Sequence, residues 1–150
     1  ISIFETRAVA EWVDEAVTQG AKALCGAKKL SDTTYAPTVL LDAPATARVS
    51  KMEIFGPVVS VYGYDKVEEA IAAANSLPFA FQSSIFTQDV TKALAWARLL
   101  DSSAVMINEH TAFRTDWMPF TGRRQSGYGI GGIGYTMHDM TQEKMIVLSH

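Results

Sequence analysis

The chain has little that would bind a metal, cross a membrane or close a disulfide. Its 150 residues include one cysteine, Cys25. A disulfide within the chain is therefore excluded, and a reducing compartment, the cytoplasm, is the expected setting. That cysteine and the scattered His110, His138 and His150 make no zinc pattern, so no metal site is expected. No apolar run approaches the roughly 20 residues needed to span a bilayer, which leaves no place for a membrane helix. Charged residues are only 19%, which suggests that much of the surface is covered by something. The net charge of -3, with no basic cluster larger than Arg123-Arg124, argues against a nucleic-acid partner. No repeat, low-complexity tract or signal peptide stands out. The chain opens Ile1-Ser2-Ile3-Phe4 without an initiator Met, reads as a fragment, and would have any targeting segment on another part.

What is present is enough for one domain with a real core: 150 residues, 48% of them hydrophobic. Residues 6–19 read as a helix, with Val9, Trp12, Val13, Ala16 and Val17 at helical spacing, Thr6 as cap and Gly20 as stop. Ala23-Leu24-Cys25 and Thr38-Val39-Leu40-Leu41 read as short strands with a polar loop between them. Val58 to Tyr64 is β-rich. Asp65 and Glu68 are placed as a capping box for a second helix, with Val67, Ala70, Ile71 and Ala74 as its stripe and Leu77-Pro78 as its stop. Ser83 to Phe86 reads as a strand. Asp89 opens a third helix, with Val90, Ala93, Leu94 and Ala97 inward, and Ala104 to Ile107 reads as a further strand. Strand, helix, strand, helix, strand over 58–107 predicts an α/β fold of parallel βαβ units. Residues 109–141 lack periodicity and are rich in Gly and aromatics, so they read as a long loop that is functional or pinned by partners. Met145 to Leu148 reads as a terminal strand.

The most informative string is Glu53-Ile54-Phe55-Gly56-Pro57-Val58, just before the run Val58-Val59-Ser60-Val61-Tyr62. A carboxylate can accept hydrogen bonds from two ribose hydroxyls, and a ring two residues on can lie against a flat ligand face. Gly56 removes the Cβ that would block close approach, and Pro57 fixes the backbone. The plain alternative is a surface charge at Glu53 and a core ring at Phe55. Cys25 invites a nucleophile reading, but it sits in the apolar run Lys22-Ala23-Leu24-Cys25-Gly26, and lone cysteines are more often buried fillers. Gly127-Tyr128-Gly129-Ile130-Gly131-Gly132 matches a dinucleotide pattern. It follows Gly122-Arg123-Arg124-Gln125-Ser126, which is no buried strand, so tight backbone turns are the expected role. Phe113, Arg114, Trp117, Met118 and Phe120 form an aromatic cluster with one cation, either loop anchors or a pocket wall. Asn108 ends a strand and reads as structural, holding the loop backbone.

These strings resemble the aldehyde dehydrogenase superfamily. The likeness is carried by Glu53-Ile54-Phe55-Gly56-Pro57-Val58, Tyr35-Ala36-Pro37-Thr38-Val39, Asn75-Ser76-Leu77-Pro78-Phe79, Ile85-Phe86-Thr87-Gln88-Asp89, Val105-Met106-Ile107-Asn108, Pro119-Phe120-Thr121-Gly122 and Gln125-Ser126-Gly127, in the family's order. The resemblance implies the C-terminal part of the catalytic domain over 1–141 and an oligomerisation strand over 142–150. It implies oxidation of an aldehyde to a carboxylic acid through a cysteine thioester, with NAD or NADP as cofactor, in a homodimer or homotetramer. Glu53 would hold the nicotinamide ribose and Phe55 would pack near the nicotinamide ring. The thiol nucleophile and the glutamate base would lie before this chain, so no catalytic residue is assigned here and the piece alone is expected to be inactive. Phe120 matches an aromatic wall of the aldehyde channel, and Phe113 does so approximately.

The string Ile107-Asn108-Glu109-His110-Thr111-Ala112-Phe113-Arg114-Thr115-Asp116 is most similar to the subgroup of non-phosphorylating glyceraldehyde-3-phosphate and phosphonoacetaldehyde dehydrogenases. Arg114 would then clamp the substrate's anionic group. In the glyceraldehyde-3-phosphate type, however, the anion-binding Arg aligns one residue earlier, at Phe113. The alternative to an enzyme is a binding or interaction module that keeps the fold without the chemistry.

Overall fold

The computed structural model describes residues 2–150 and divides the chain into two compact units, one running to Asp65 and the other Lys66–His150.

In the first unit, helix α1 (Ile3–Thr18) starts one turn earlier than its apolar stripe. Ser2, not Thr6, is the cap. Its hydroxyl accepts from the Glu5 N–H at 3.2 Å, and the Glu5 carboxylate accepts from the Ser2 N–H at 2.8 Å. Thr6 is instead buried, its hydroxyl donating to the Ser2 carbonyl at 2.9 Å. Gly20, at φ +115°, ends the helix as expected. There follow β1 (Lys22–Cys25), β2 (Lys29–Ser31), β3 (Thr34–Tyr35), β4 (Thr38–Leu41), α2 (Arg48–Lys51) and β5 (Val58–Val61). The sheet order is β1-β4-β5. β1 runs antiparallel to β4, and β5 runs parallel to it with Thr38 opposite Val58 and Leu41 opposite Val61. The segment between β1 and β4, expected as loop, is a β2-β3 hairpin tied by Lys29 and Asp32 at 2.6 Å.

The stripe of α1 covers this sheet. Val9, Val13 and Ala16 pack with Ala21, Tyr35, Leu40, Ala43 and Ala47, and Leu40 is fully buried. Burying a leucine of this kind contributes about 2 kcal/mol. Val17, expected inward, is largely exposed. Thr38 is buried but satisfied: its hydroxyl donates to the Ala36 carbonyl and accepts from the Ala27 N–H, both at 2.8 Å.

The second unit holds α3 (Val67–Ala74), β6 (Phe79–Ala80), β7 (Gln82–Ile85), α4 (Val90–Leu99), β8 (Ala104–Ile107), β9 (Arg123–Arg124) and α5 (Ile133–Asp139). Here β7, α4 and β8 form a parallel βαβ unit with Gln82 opposite Ala104 and Ile85 opposite Ile107. The α/β class is therefore present, with one adjustment. The expected single series over 58–107 is split, because β5 belongs with β4 in the first unit's sheet and β7 pairs with β8. Asp89 caps α4 as expected, accepting from the Lys92 N–H at 3.0 Å. The capping box at Asp65 and Glu68 does not form; Lys66 occupies the cap position without a side-chain bond. Of the inward positions expected on α4 only Ala93 is buried, while Val90 and Leu94 stand exposed.

The expected loop 109–141 contains β9, paired antiparallel with β6, a Phe120–Gly131 bridge, and α5. Residues 141–150 form no strand within this chain. A lone segment has no neighbour with which to build a ladder, and Met145, Ile146, Val147 and Leu148 are all exposed.

Candidate functional site

The Glu53–Val58 string runs from the end of α2 into β5. The Met52 N–H donates to the Arg48 carbonyl at 2.9 Å, closing α2 and setting the direction of the next residues. The chain then makes two tight bends: Gly56 N–H to the Ile54 carbonyl at 2.7 Å, and Val58 N–H to the Gly56 carbonyl at 2.8 Å. The Thr38 N–H reaches the Pro57 carbonyl at 2.8 Å, so the turn is pinned to the start of β4.

Glu53 and Phe55 line one cleft together with Ile54 and, from α1, Glu5, Ala8, Val9 and Trp12; its volume is about 220 Å³. Phe55 is 71% exposed and is no core ring. The Glu53 carboxylate has no hydrogen-bond or ion-pair partner among the described residues. Its neighbour across the cleft, Glu5, is engaged at the helix cap. The Ser2 N–H, followed by the Ser2 hydroxyl, holds the Glu5 carboxyl below its ordinary range. An uncommitted carboxylate and an open ring on an apolar cleft fit a ligand that brings hydroxyls and a flat face.

Gly56 has a packing role beside the one expected. A Cβ there would lie 2.5 Å from Val9 Cγ2. The missing side chain makes room for helix α1. The α1 wall itself was hidden in the sequence, because Val9 and Trp12 were read as core stripe only. Positions 5, 8, 9 and 12 share one helical face, but the same spacing serves the core, and it is the partial burial of Trp12 that sets the cleft face apart.

Arg48 stands at the back of this wall. Its guanidinium lies 5.4 Å from the Trp12 ring centroid, its Nε donates to Glu15 Oε2 at 2.5 Å and its N–H to Glu15 Oε1 at 3.0 Å. These bonds, the backbone one first, hold the Glu15 carboxyl below its ordinary range.

In the second unit Arg114 and Phe120 come together. The guanidinium lies 4.5 Å from the Phe120 centroid and donates from Nη2 to the Met118 carbonyl at 3.2 Å. Phe120 also meets Phe81 edge-on at 4.8 Å and 84°. Arg114 makes no ion pair among the described residues. Phe113 is partly exposed and joins neither ring contact.

Asn108 is structural, as expected. Its side chain accepts from the Thr87 N–H and donates to the Thr87 carbonyl, both at 2.9 Å. Cys25, expected as a buried filler, is exposed in β1, which pairs with β4. The glycine-rich run follows the exposed, antiparallel β9 instead of a central parallel strand. It therefore lacks the strand that a phosphate-binding turn needs. No group of three or more potential metal ligands occurs among the described residues, and no described helix is long and apolar enough to cross a membrane.

The chain is 36% identical over 149 residues to the 3-sulfolactaldehyde dehydrogenase of Priestia aryabhattai, covering 99% of this chain and 31% of that protein. The glyceraldehyde-3-phosphate dehydrogenase GapN of Methanocaldococcus jannaschii, solved with NADP, superposes with a TM-score of 0.89 at 35% identity, over 99% of this chain and 32% of that one. Aldehyde dehydrogenase 21 of Physcomitrella patens, solved with its product succinate, gives 0.88 at 37% identity, over 93% and 29%. The chain thus spans about a third of the length of these relatives. Residues 1–146 match the aldehyde dehydrogenase family, and the chain belongs to it.

Proposed function

We propose that this chain forms one wall of the cofactor site in an NAD- or NADP-dependent enzyme that oxidises an aldehyde to a carboxylic acid. The observation that carries the reading is the cleft at Glu53 and Phe55, where a carboxylate without a partner among the described residues adjoins an exposed ring. When bound, the dinucleotide supplies the oxidant for the aldehyde carbon. Glu53 accepts hydrogen bonds from the nicotinamide ribose, Phe55 packs near the ring, and both orient the cofactor without doing bond chemistry. The family's thiolate and general base are assigned to no residue of these 150.

The substrate class we read is an anionic aldehyde. Sulfolactaldehyde, glyceraldehyde 3-phosphate and succinate all carry a negative group, and each is named with a relative of this chain. Arg114, over the Phe120 ring and free of ion pairs among the described residues, retains donors for such a group. Phe120 and Phe113 would supply the apolar wall. The segment 142–150, with Met145 to Leu148 exposed, would add a strand to a second subunit, giving a homodimer or homotetramer. One free thiol suits the cytoplasm.

The test is Glu53→Gln in the intact enzyme. Losing a charge-assisted acceptor is expected to weaken dinucleotide binding about tenfold and to slow turnover. Unchanged dinucleotide affinity would refute the site. Arg114→Ala is expected to raise KM about tenfold for an anionic aldehyde and to spare a neutral one. Equal effects on both would remove Arg114 from the substrate reading.

A further inference from the structure

The two walls of the cleft at Glu53 come from separate elements: α1 gives Glu5, Ala8, Val9 and Trp12, and the chain leaving α2 gives Glu53, Ile54 and Phe55. One side-chain pair touches the support of both. Glu15, on α1, grips Arg48 twice, through the backbone N–H at 3.0 Å and through Nε at 2.5 Å. Arg48 is the first residue of α2, whose cap Ala47 offers no side-chain bond, so Glu15 supplies the acceptor that the helix start lacks. The same guanidinium lies over the Trp12 ring at 5.4 Å. Five residues on from Arg48 stands Glu53.

We propose that Glu15 and Arg48 are positioning residues for the dinucleotide: through them the Trp12 ring and the Glu53–Phe55 backbone are held at a fixed separation. This rests on the reading of the cleft as the cofactor site. The pair is not needed merely to dock α2. Ala47 is fully buried, and Val49 and Ile54 pack on the same core as Val13 and Ala16, so apolar contacts keep α2 on α1 without it. What the core does not fix is the plane of Trp12, which is only partly buried. A planar guanidinium held by a carboxylate on the next turn of the same helix supplies that restraint.

The experiment is steady-state kinetics and thermal denaturation of the intact enzyme carrying Arg48→Met, Arg48→Lys, Glu15→Gln or, as reference, Glu53→Gln. Arg48→Met and Glu15→Gln are expected to raise the dinucleotide KM about fivefold while the aldehyde KM stays within about twofold. Arg48→Lys keeps a cation opposite Glu15 and beside Trp12, and is expected to recover part of the loss. A lower Tm with an unchanged dinucleotide KM in Arg48→Met and Glu15→Gln, while Glu53→Gln raises it, would overturn the proposal and leave the cofactor site standing. If Glu53→Gln also leaves the dinucleotide KM unchanged, the cofactor reading fails and this inference fails with it. Should Arg48→Met not fold, the same outcomes are read from Glu15→Gln.

Discussion

Arg124 and Asp101 form a fork, with the guanidinium donating from Nε to Asp101 Oδ2 at 2.8 Å and from Nη2 to the same oxygen. Arg124 also donates from Nη1 to the carbonyls of Asn75, at 2.8 Å, and Leu77. The Asn75 side chain in turn accepts from the Asp101 N–H and donates to the Leu99 carbonyl, both at 2.8 Å. One arginine thereby ties the ends of α3 and α4 to β9, and Arg124 tolerates φ +55° because so many bonds fix it there. Arg124→Ala is expected to destabilise the protein by about 1–2 kcal/mol, the value for charged hydrogen bonds reduced for partial exposure. It should also open residues 125–132 to limited proteolysis. An unchanged urea midpoint together with an unchanged cleavage pattern would contradict this.

Asn108 sits at φ +57°, a region that side chains other than Asn, Asp and Gly rarely adopt, and its amide clamps Thr87 in both directions. The backbone and clamp effects can be separated. Asn108→Gly loses the clamp alone, whereas Asn108→Ala also takes on the left-handed strain, so alanine should be the worse by about 1 kcal/mol. Chemical denaturation of the two variants decides it; equal stability would mean that the left-handed backbone contributes nothing.

Much of the architecture was legible where one force dominates. Thr38–Leu41 reads as a strand because its residues suit a buried pleat, and α1 reads as a helix because its apolar residues share a face. The β2-β3 hairpin was not legible, because its stability comes from a backbone ladder and a lysine–aspartate pair instead of apolar pattern. Nor was α5, which carries Gly134 within it and Gly132 at its start. At the site, Glu53 and Phe55 were legible as a pair, but the place of Trp12 in the cleft and the contact of Gly56 with Val9 were not. A single helical stripe serves the core with Val13 and Ala16 and the cleft with Trp12, and sequence spacing does not separate the two. Some strings shared with the family turn out to be internal ties. The Ser126 hydroxyl accepts from the Ala80 N–H at 3.1 Å, and Asn75 joins the Arg124 network.

The exposure of Cys25 gives a direct test of its exclusion from the chemistry. A thiol reagent should label it in the folded protein, since the residue is exposed and its thiol makes no more than a 3.9 Å contact with the Pro37 carbonyl as a hydrogen bond among the described residues. Labelling is expected to leave aldehyde oxidation by the intact enzyme within about twofold of the untreated rate. Inactivation that a Cys25→Ser variant escapes would restore the nucleophile reading.

Acid should unfasten the first unit in a defined window. Glu5 and Glu15 are both held below their ordinary value of 4.5, Glu5 chiefly by the Ser2 N–H and Glu15 chiefly by the Arg48 N–H. A depressed carboxyl contributes stability that is fully present above its unfolded value and is lost as the pH falls through its folded value. Tm is therefore expected to be flat with respect to these groups above about pH 5 and to fall below it. Glu15→Gln should flatten part of that acid limb. A variant whose Tm falls with pH exactly as the parent's does would show that Glu15 carries none of the linkage.

The packing of Gly56 against Val9 of α1, next to the cleft, can be perturbed directly. Gly56→Ala places a methyl 2.5 Å from Val9 Cγ2, so either the turn or α1 must move. Overpacking of this kind costs about 1–3 kcal/mol, and the displaced wall should weaken dinucleotide binding as well. The partner substitution tells a helix clash from a lost ligand contact. Val9→Ala alone opens a small void and costs stability, but combined with Gly56→Ala it removes both γ-carbons that meet the new methyl. The double variant is thus expected to be more stable than the sum of the single effects by about 1 kcal/mol or more. It should also recover dinucleotide affinity relative to Gly56→Ala. If the two substitutions prove additive in both readouts, the glycine serves the ligand after all, and the contact with Val9 is incidental.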